Sequence, residues 1–195
     1  MERTFDLIVV GSGTAAANAA SRCRRAGWTV AMIDKRPFGG TCALRGCDPK
    51  KVLVGAAAAL DAARALADNG VRADGIAIDW PALMRFKRSF TDPVPSARRA
   101  ALAKLGVDTL DGAARFVSPS QIAADDTTLQ ASRAIVLASR AEPAPVAIEG
   151  AAHVITSDDF LELDSLPASL VFIGGAYISF EFAHVAARAG ARVTS

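Results

Sequence analysis

The chain has 195 residues, 51% of them hydrophobic, and its 22 Lys and Arg against 20 Asp and Glu leave a formal charge of +2. That length and apolar content suit one domain and part of another, and the mixed charge, with no basic block, argues against nucleic acid as a partner. The N-terminus carries no basic stretch ahead of an apolar region, and no apolar run approaches a bilayer span, so a cytoplasmic protein with no membrane partner is expected.

In chain order, residues 5–10 (FDLIVV) read as a buried strand, Gly11-Ser12-Gly13 as a tight turn, residues 14–26 as an Ala-rich helix stopped by Gly27, and residues 29–34 (TVAMID) as a second buried strand. Strand, glycine turn, helix and strand make a βαβ unit. A Gly-rich loop at 37–41 follows, then a helix from about residue 42 to 69 with Pro49 in its first turns. Asp79 before Trp80-Pro81 has the form of an N-cap with proline in the first turn. The helix it starts ends near Gly106, and the two helices are expected as an antiparallel pair over the sheet.

From 107 to 137 the apolar runs shorten to VDTL, ARFV, QIAA, TTLQ and AIVLA, a pattern of short strands separated by turns. Residues 141–145 read as a Pro-rich linker, and Leu166-Pro167 as a new start. A strand at 170–173, the turn Gly174-Gly175-Ala176, a helix at 177–189 and a strand beginning at 192 then repeat the βαβ opening, about 160 residues after the first. Two nucleotide-binding units are the simplest reading, divided as residues 1–150 and 151–195.

Two motifs carry chemistry. Gly11-x-Gly13-x-x-Ala16 lies between a strand and a helix, where glycines let backbone N–H groups approach a pyrophosphate and the helix N-terminus adds partial positive charge. Asp34 ends the next strand, in the place of an acid that accepts from an adenosine ribose. The ligand at this point is a dinucleotide, FAD or NAD. The second motif is GGTCALRGCDPKK, residues 39–51, with four residues between Cys42 and Cys47. In a reducing compartment such a pair is catalytic or metal-binding. The only histidines, His153 and His184, are remote in sequence, so a zinc site lacks obvious further ligands. Two inert core cysteines fit poorly among Gly, Thr, Arg and Lys neighbours. Cys23 reads as core filler, His153 as a linker residue and His184 as a structural helix residue. Arg22, Arg24, Arg25, Arg98 and Arg99 read as solvated helix faces.

GGTCALRGCDPKK resembles the GGTC-x4-C-x-P-x-K signature of the pyridine nucleotide-disulfide oxidoreductases, and its RGCDPKK portion is most similar to glutathione reductases. The resemblance spans essentially the whole chain. It implies an α/β fold with a Rossmann-like FAD-binding domain, a short β-meander, and the start of a second Rossmann-like domain for NAD(P)H. It implies that Cys47 is the sulfur nearest the flavin and Cys42 the thiol that attacks a small-molecule disulfide. The implied FAD site comprises Gly11, Gly13, Thr14, Ala15, Asp34, Gly40, Thr41, Cys42, Lys51, Ala114 and Ser139. Lys51 would lie near flavin N5 with Glu181 as its carboxylate partner, and Tyr177, beside Gly174, would cover the face where nicotinamide docks.

The sequence departs from that family in several places. Asp48 follows the second cysteine, Ala138-Ser139-Arg140 stands for the usual Ala-Thr-Gly, and Gly174-Gly175-Ala176 for a triple glycine. The family's C-terminal domain, with its His-Glu pair and its homodimer interface, has no counterpart within these residues. The chain by itself is therefore expected to turn over little or not at all. The alternatives are a dihydrolipoamide dehydrogenase-like or mercuric reductase-like enzyme, or a non-catalytic fragment.

Overall fold

The computed structural model describes residues 2–194. In chain order its elements begin with β1 (Glu2–Val10), α1 (Thr14–Arg25), β2 (Val30–Asp34), α2 (Gly40–Arg45) and α3 (Cys47–Ala65). There follow α4 (Trp80–Thr91), α5 (Val94–Lys104), β3 (Val107–Asp111), β4 (Ala114–Ser118), β5 (Gln121–Ala124) and β6 (Thr127–Leu137). The last are α6 (Ser157–Phe160), β7 (Ser169–Val171), α7 (Tyr177–Arg188) and β8 (Arg192–Thr194). The chain forms two compact units, Met1–Leu44 with Asp92–Ala144, and Arg45–Thr91 with Pro145–Ser195. Residues 45–91 group with the second βαβ opening.

The first unit is built on a six-stranded sheet in the order β3-β2-β1-β6-β5-β4. β1 pairs in parallel with β2 and β6, and β2 with β3, while β4, β5 and β6 pair antiparallel. Strands with both faces covered need continuous apolar runs, which explains FDLIVV and VAMID. Alternation sends Leu7, Val9, Val30 and Met32 to a core with Ala16, Ala20 and Leu102, and Ile8, Ala31 and Ile33 to another with Ile122, Ala124 and Leu129.

The runs at 127–130 and 134–138 are one strand, not two. The register passes from Phe5↔Ala131 to Leu7↔Ala134, so Asp6 faces two residues of β6, and this bulge interrupts the alternation that the sequence shows. Asp6 Oδ1 accepts from Ser132 Oγ at 3.2 Å and Arg133 Nε at 3.0 Å, and its Oδ2 accepts from Thr29 N at 2.8 Å and Thr29 Oγ1 at 3.0 Å. These donors, the Thr29 backbone N–H foremost, lower the Asp6 carboxyl to about 2.

The second unit holds the parallel pair β7-β8 and the helices α3, α4, α6 and α7. Its core gathers Leu53, Ala57, Trp80, Met84, Phe160, Leu161, Phe182 and Val185. Phe160 stacks on Phe182 at 4.5 Å, and Trp80 Nε1 donates to the Leu163 carbonyl at 2.8 Å. Lys87 is fully buried and is neutralised by Glu162 at 2.9 Å. Asp79 caps α4 as expected, with Oδ1 accepting from Ala82 N at 2.9 Å.

Three expectations about helices need correction. The helix foreseen at 42–69 is two, because Gly46 leaves helical geometry at φ −147° and ψ −114°, and the second of them ends at Ala65. The helix foreseen from Asp79 to Gly106 is also two, divided at Asp92-Pro93, since prolines 93 and 95 supply no backbone donor. The pair foreseen over the sheet is divided between the units: α3 and α4 pack together, and α3 with α7, in the second, while α5 packs against β3 in the first. Among the described residues no helix is long and apolar enough to cross a membrane.

Arg140, just beyond β6, has φ +70°. A side chain in that region costs about 1–2 kcal/mol, which glycine avoids at the expense of a floppier unfolded chain. Arg140→Gly is expected to stabilise the fold by about 0.5–1 kcal/mol, read as a raised Tm in thermal unfolding. Asp6 is depressed from 3.8 to about 2, so its contribution is complete above pH 3.8 and is lost as pH falls through 2. Denaturant titrations between those limits should show a steeper acid loss of stability for the native chain than for Asp6→Asn.

Candidate functional site

Between β1 and α1 the backbone turns where side chains have no room. Gly11 has φ +107°, and a Cβ there would lie 2.2 Å from the Ala138 carbonyl oxygen at the end of β6. Gly40, at the start of α2, has φ +77°, and its Cβ would lie 2.3 Å from the Gly13 Cα. Three main-chain segments thus meet directly. Gly13 precedes α1 with no side-chain cap, and Thr14 and Ala15 are exposed in the first turn, so free N–H groups and the positive end of the helix face outward.

Ser12 is 1% exposed. Its Oγ donates to Asp34 Oδ2 at 2.6 Å and accepts from Gly39 N at 3.1 Å, while Asp34 Oδ1 accepts from Arg36 N at 3.0 Å. Sequence reasoning missed this residue, whose signal is a hydroxyl between two turn glycines. Thr41 follows Gly40, and its Oγ1 is buried with no hydrogen-bond partner among the described residues. An unmet buried hydroxyl costs about 1–3 kcal/mol unless a ligand or water satisfies it. Cys42 is the next residue of α2 and is exposed. Ala114 opens β4 opposite Ala124, and Ser139 is exposed just after β6.

In the second unit Cys47 is the first residue of α3, exposed, with Gly46 as an N-cap that offers no side chain. Lys50 lies one turn on. Its Nζ donates to Glu181 Oε2 at 2.5 Å and sits 4.9 Å from the Tyr177 ring centroid. Tyr177 and Glu181 are one turn apart on α7, so one helix face presents a ring and a carboxylate to the same ammonium. The Glu181 hydrogen bond raises the Lys50 pKa above its ordinary value; partial burial opposes the rise, and attraction to Glu181, Tyr177 and Cys47 adds to it.

The lysine that meets Glu181 is therefore Lys50, not Lys51. Adjacent helical residues point about 100° apart, and Lys51 is on the exposed side of α3. Gly174 has φ +121°, and a Cβ there would meet only Ser179 Oγ at 3.5 Å, while one on Gly175 would meet nothing. This second turn is open where the first is closed.

Residues outside the proposed chemistry also have places. Cys23 packs against the first-unit core. His184 Nε2 lies 3.3 Å from Asp61 Oδ2, while Asp61 Oδ1 accepts from Arg188 Nε at 2.8 Å. Two arginines expected on solvated faces are engaged instead: Arg24 Nε donates to the Gly106 carbonyl, and Arg99 lies 4.1 Å over the Phe38 ring and pairs with Asp111. Cys23 and Cys47 are free thiols. The described residues contain no group of three or more His, Cys, Asp or Glu that would hold a metal ion.

Residues 5–195 match the family model described as pyridine nucleotide-disulphide oxidoreductase. The chain belongs to that family. It is 29% identical to a dihydrolipoyl dehydrogenase from Chlamydia pneumoniae over 100% of this chain and 43% of that relative. It is 34% identical to a mercuric reductase from Streptomyces lividans over 97% of the chain and 42% of the relative. With a glutathione reductase from Burkholderia cepacia it shares 31% identity over 93% and 40%, respectively. Its fold is similar to the copper(II) complex of an HOCl-induced flavoprotein disulfide reductase from Escherichia coli, with TM-score 0.83, 25% identity, and coverage of 98% of this chain and 42% of that one. The chain thus spans less than half the length of these relatives.

The family uses a flavin and a pyridine nucleotide, and the residues here fit both. The closed turn at Gly11, Gly13 and Gly40, the uncapped start of α1 and the unmet Thr41 hydroxyl suit a dinucleotide with polar atoms to share. The open turn at Gly174, ahead of α7, suits a second nucleotide. Lys50→Met is expected to lower stability by about 1 kcal/mol, since it leaves Glu181 without its cation. Lys51→Met should leave the unfolding midpoint unchanged, and paired urea titrations check the contrast.

Proposed function

We propose that the chain is the FAD-binding and redox-disulfide portion of an NAD(P)H-dependent disulfide reductase whose substrate is a small-molecule disulfide such as glutathione disulfide. The observation that carries this reading is Cys47 at the start of α3, followed one turn later by Lys50 fastened to Glu181, in a chain whose first βαβ turn is closed by backbone contacts. The RGCDPKK segment, similar to that of glutathione reductases, supports glutathione disulfide as substrate. A second reading, dihydrolipoamide or mercuric ion as the substrate, is supported by relatives of nearly equal identity, 29% and 34% against 31%.

Bound FAD would supply two-electron transfer between nicotinamide and a sulfur pair. The chain's own residues do the rest. With FAD bound, backbone N–H groups at Gly13 and the start of α1 would hold its pyrophosphate, the Thr41 hydroxyl would meet one of its polar atoms, and Asp34, held by Ser12, would accept from a ribose hydroxyl. Tyr177 would cover a nicotinamide bound beside the turn at Gly174.

Two-electron reduction of a Cys42–Cys47 bond would leave two thiolates. The Cys42 thiolate attacks one sulfur of the substrate disulfide, expels the first substrate thiolate and forms a mixed disulfide. The Cys47 thiolate then attacks the Cys42 sulfur, expels the second substrate thiolate and restores the Cys42–Cys47 bond; the expelled thiolates take up protons. Lys50 stabilises negative charge on the nearby sulfur, and Glu181 keeps that ammonium charged and in place.

The test is flavin retention and thiol release. After incubation with FAD and gel filtration, the full chain is expected to keep the visible flavin absorbance, and Gly11→Ala to weaken binding by about tenfold or more. On reduction the native chain should expose a thiol pair to Ellman's reagent that Cys47→Ser lacks while still holding FAD. A colourless native chain, or equal thiol release from Cys47→Ser, overturns the reading. The rates at which the reduced chain's thiols react with glutathione disulfide, lipoamide or mercuric ion then separate the substrates.

A further inference from the structure

Arg45 lies between the two cysteines, as the last residue of α2, and none of the chemistry above uses it. Its side chain is only 12% exposed, and its Nε lies 3.7 Å from Oδ2 of Asp158, itself 17% exposed. Nothing forces an arginine inward at a turn, since a long cationic side chain reaches water at little cost, whereas burying an ion pair costs desolvation of both charges. The acceptor stands on a rigid base. Asp158 belongs to α6, whose start is fixed by a reciprocal capping box: Thr156 N and Thr156 Oγ1 donate to Asp159 Oδ2 at 2.8 and 2.7 Å, and Asp159 N donates to Thr156 Oγ1 at 3.4 Å. The same helix is anchored by Phe160 and by the following Leu161, which are 3% and 0% exposed.

Gly46 comes next in the chain, then Cys47, so the backbones of Arg45 and Cys47 lie within about 7 Å. Gly46 supplies no side chain that would brace this turn. The charge facing Cys47 on its own helix is mixed, with Asp48 exposed in the first turn and Lys50 one turn on.

We propose that Arg45, anchored on Asp158, is a positioning residue for Cys47: the buried ion pair fixes the turn that starts α3 and holds a positive charge beside the thiol. This rests on the redox role assigned to Cys47. Freed of its anchor, the turn would have a glycine and no side-chain brace, and the charge beside the sulfur would be lost or mobile.

The experiment uses the full chain, reduced and free of flavin, with iodoacetamide alkylation followed across pH by site-resolved mass spectrometry. Cys23 and Cys42 are read in the same samples. Arg45→Met is expected to slow alkylation of Cys47 at neutral pH by about three- to tenfold and to move its profile to higher pH. Arg45→Lys should recover part of the effect, and Cys23 should not change. A purely structural role would instead raise the reactivity of all three thiols together as the fold loosens. Because Arg45→Met removes a positive charge that faces Asp158, the double variant Arg45→Met with Asp158→Leu removes the opposing charge as well, and it should fold while retaining the Cys47 shift. An unchanged Cys47 profile in the double variant, or a uniform rise at all three thiols, overturns the proposal. The readout needs no flavin, so loss of the redox reading through failure to hold FAD is a separate result.

Discussion

The first unit depends on main chain touching main chain. Gly11 meets the end of β6 and Gly13 meets Gly40 at separations that exclude even a methyl group. Once these contacts form, the directions of α1 and α2 and the end of β6 are fixed with respect to one another, and Ser12 between the two glycines has no outlet to water. Its hydroxyl must be satisfied internally, which it achieves by bridging Asp34 and Gly39. An acid at the end of a strand is thereby held in a fixed orientation by a residue that itself never reaches solvent.

The second unit relies on helical phase. Two adjacent lysines, Lys50 and Lys51, stand near the start of α3, and nothing in composition distinguishes them. Which one meets the carboxylate on α7 is decided by about 100° of rotation between neighbours, a quantity that depends on where the helix starts. Gly46 sets that start, and placing the first turn at Cys47 points Lys50 inward toward Glu181 and Tyr177. A helix drawn continuously from residue 42 gives no such phase.

The two βαβ openings, the capping role of Asp79 and the glycine turns were legible in the sequence, because each depends on local chemistry: apolar runs, φ beyond the reach of side chains, a carboxylate at a helix start. What escaped was non-local. The β6 strand read as two pieces because its bulge is stabilised by Asp6, more than a hundred positions earlier. Arg24 and Arg99 read as solvated because their partners, Gly106, Phe38 and Asp111, lie on other elements. The grouping of residues 45–91 with the second opening follows from aromatic packing among Trp80, Phe160 and Phe182, which no window of sequence displays.

The length of β6 has a mechanical consequence. One strand pairs in parallel with β1 on one side and antiparallel with β5 on the other, so the load path between the two halves of the sheet runs through a single backbone. A break in that strand would unzip both halves at once, whereas the turn between β4 and β5 joins only neighbours at the rim. New chain ends made by circular permutation, or an inserted reporter domain, belong in that rim turn and not in β6.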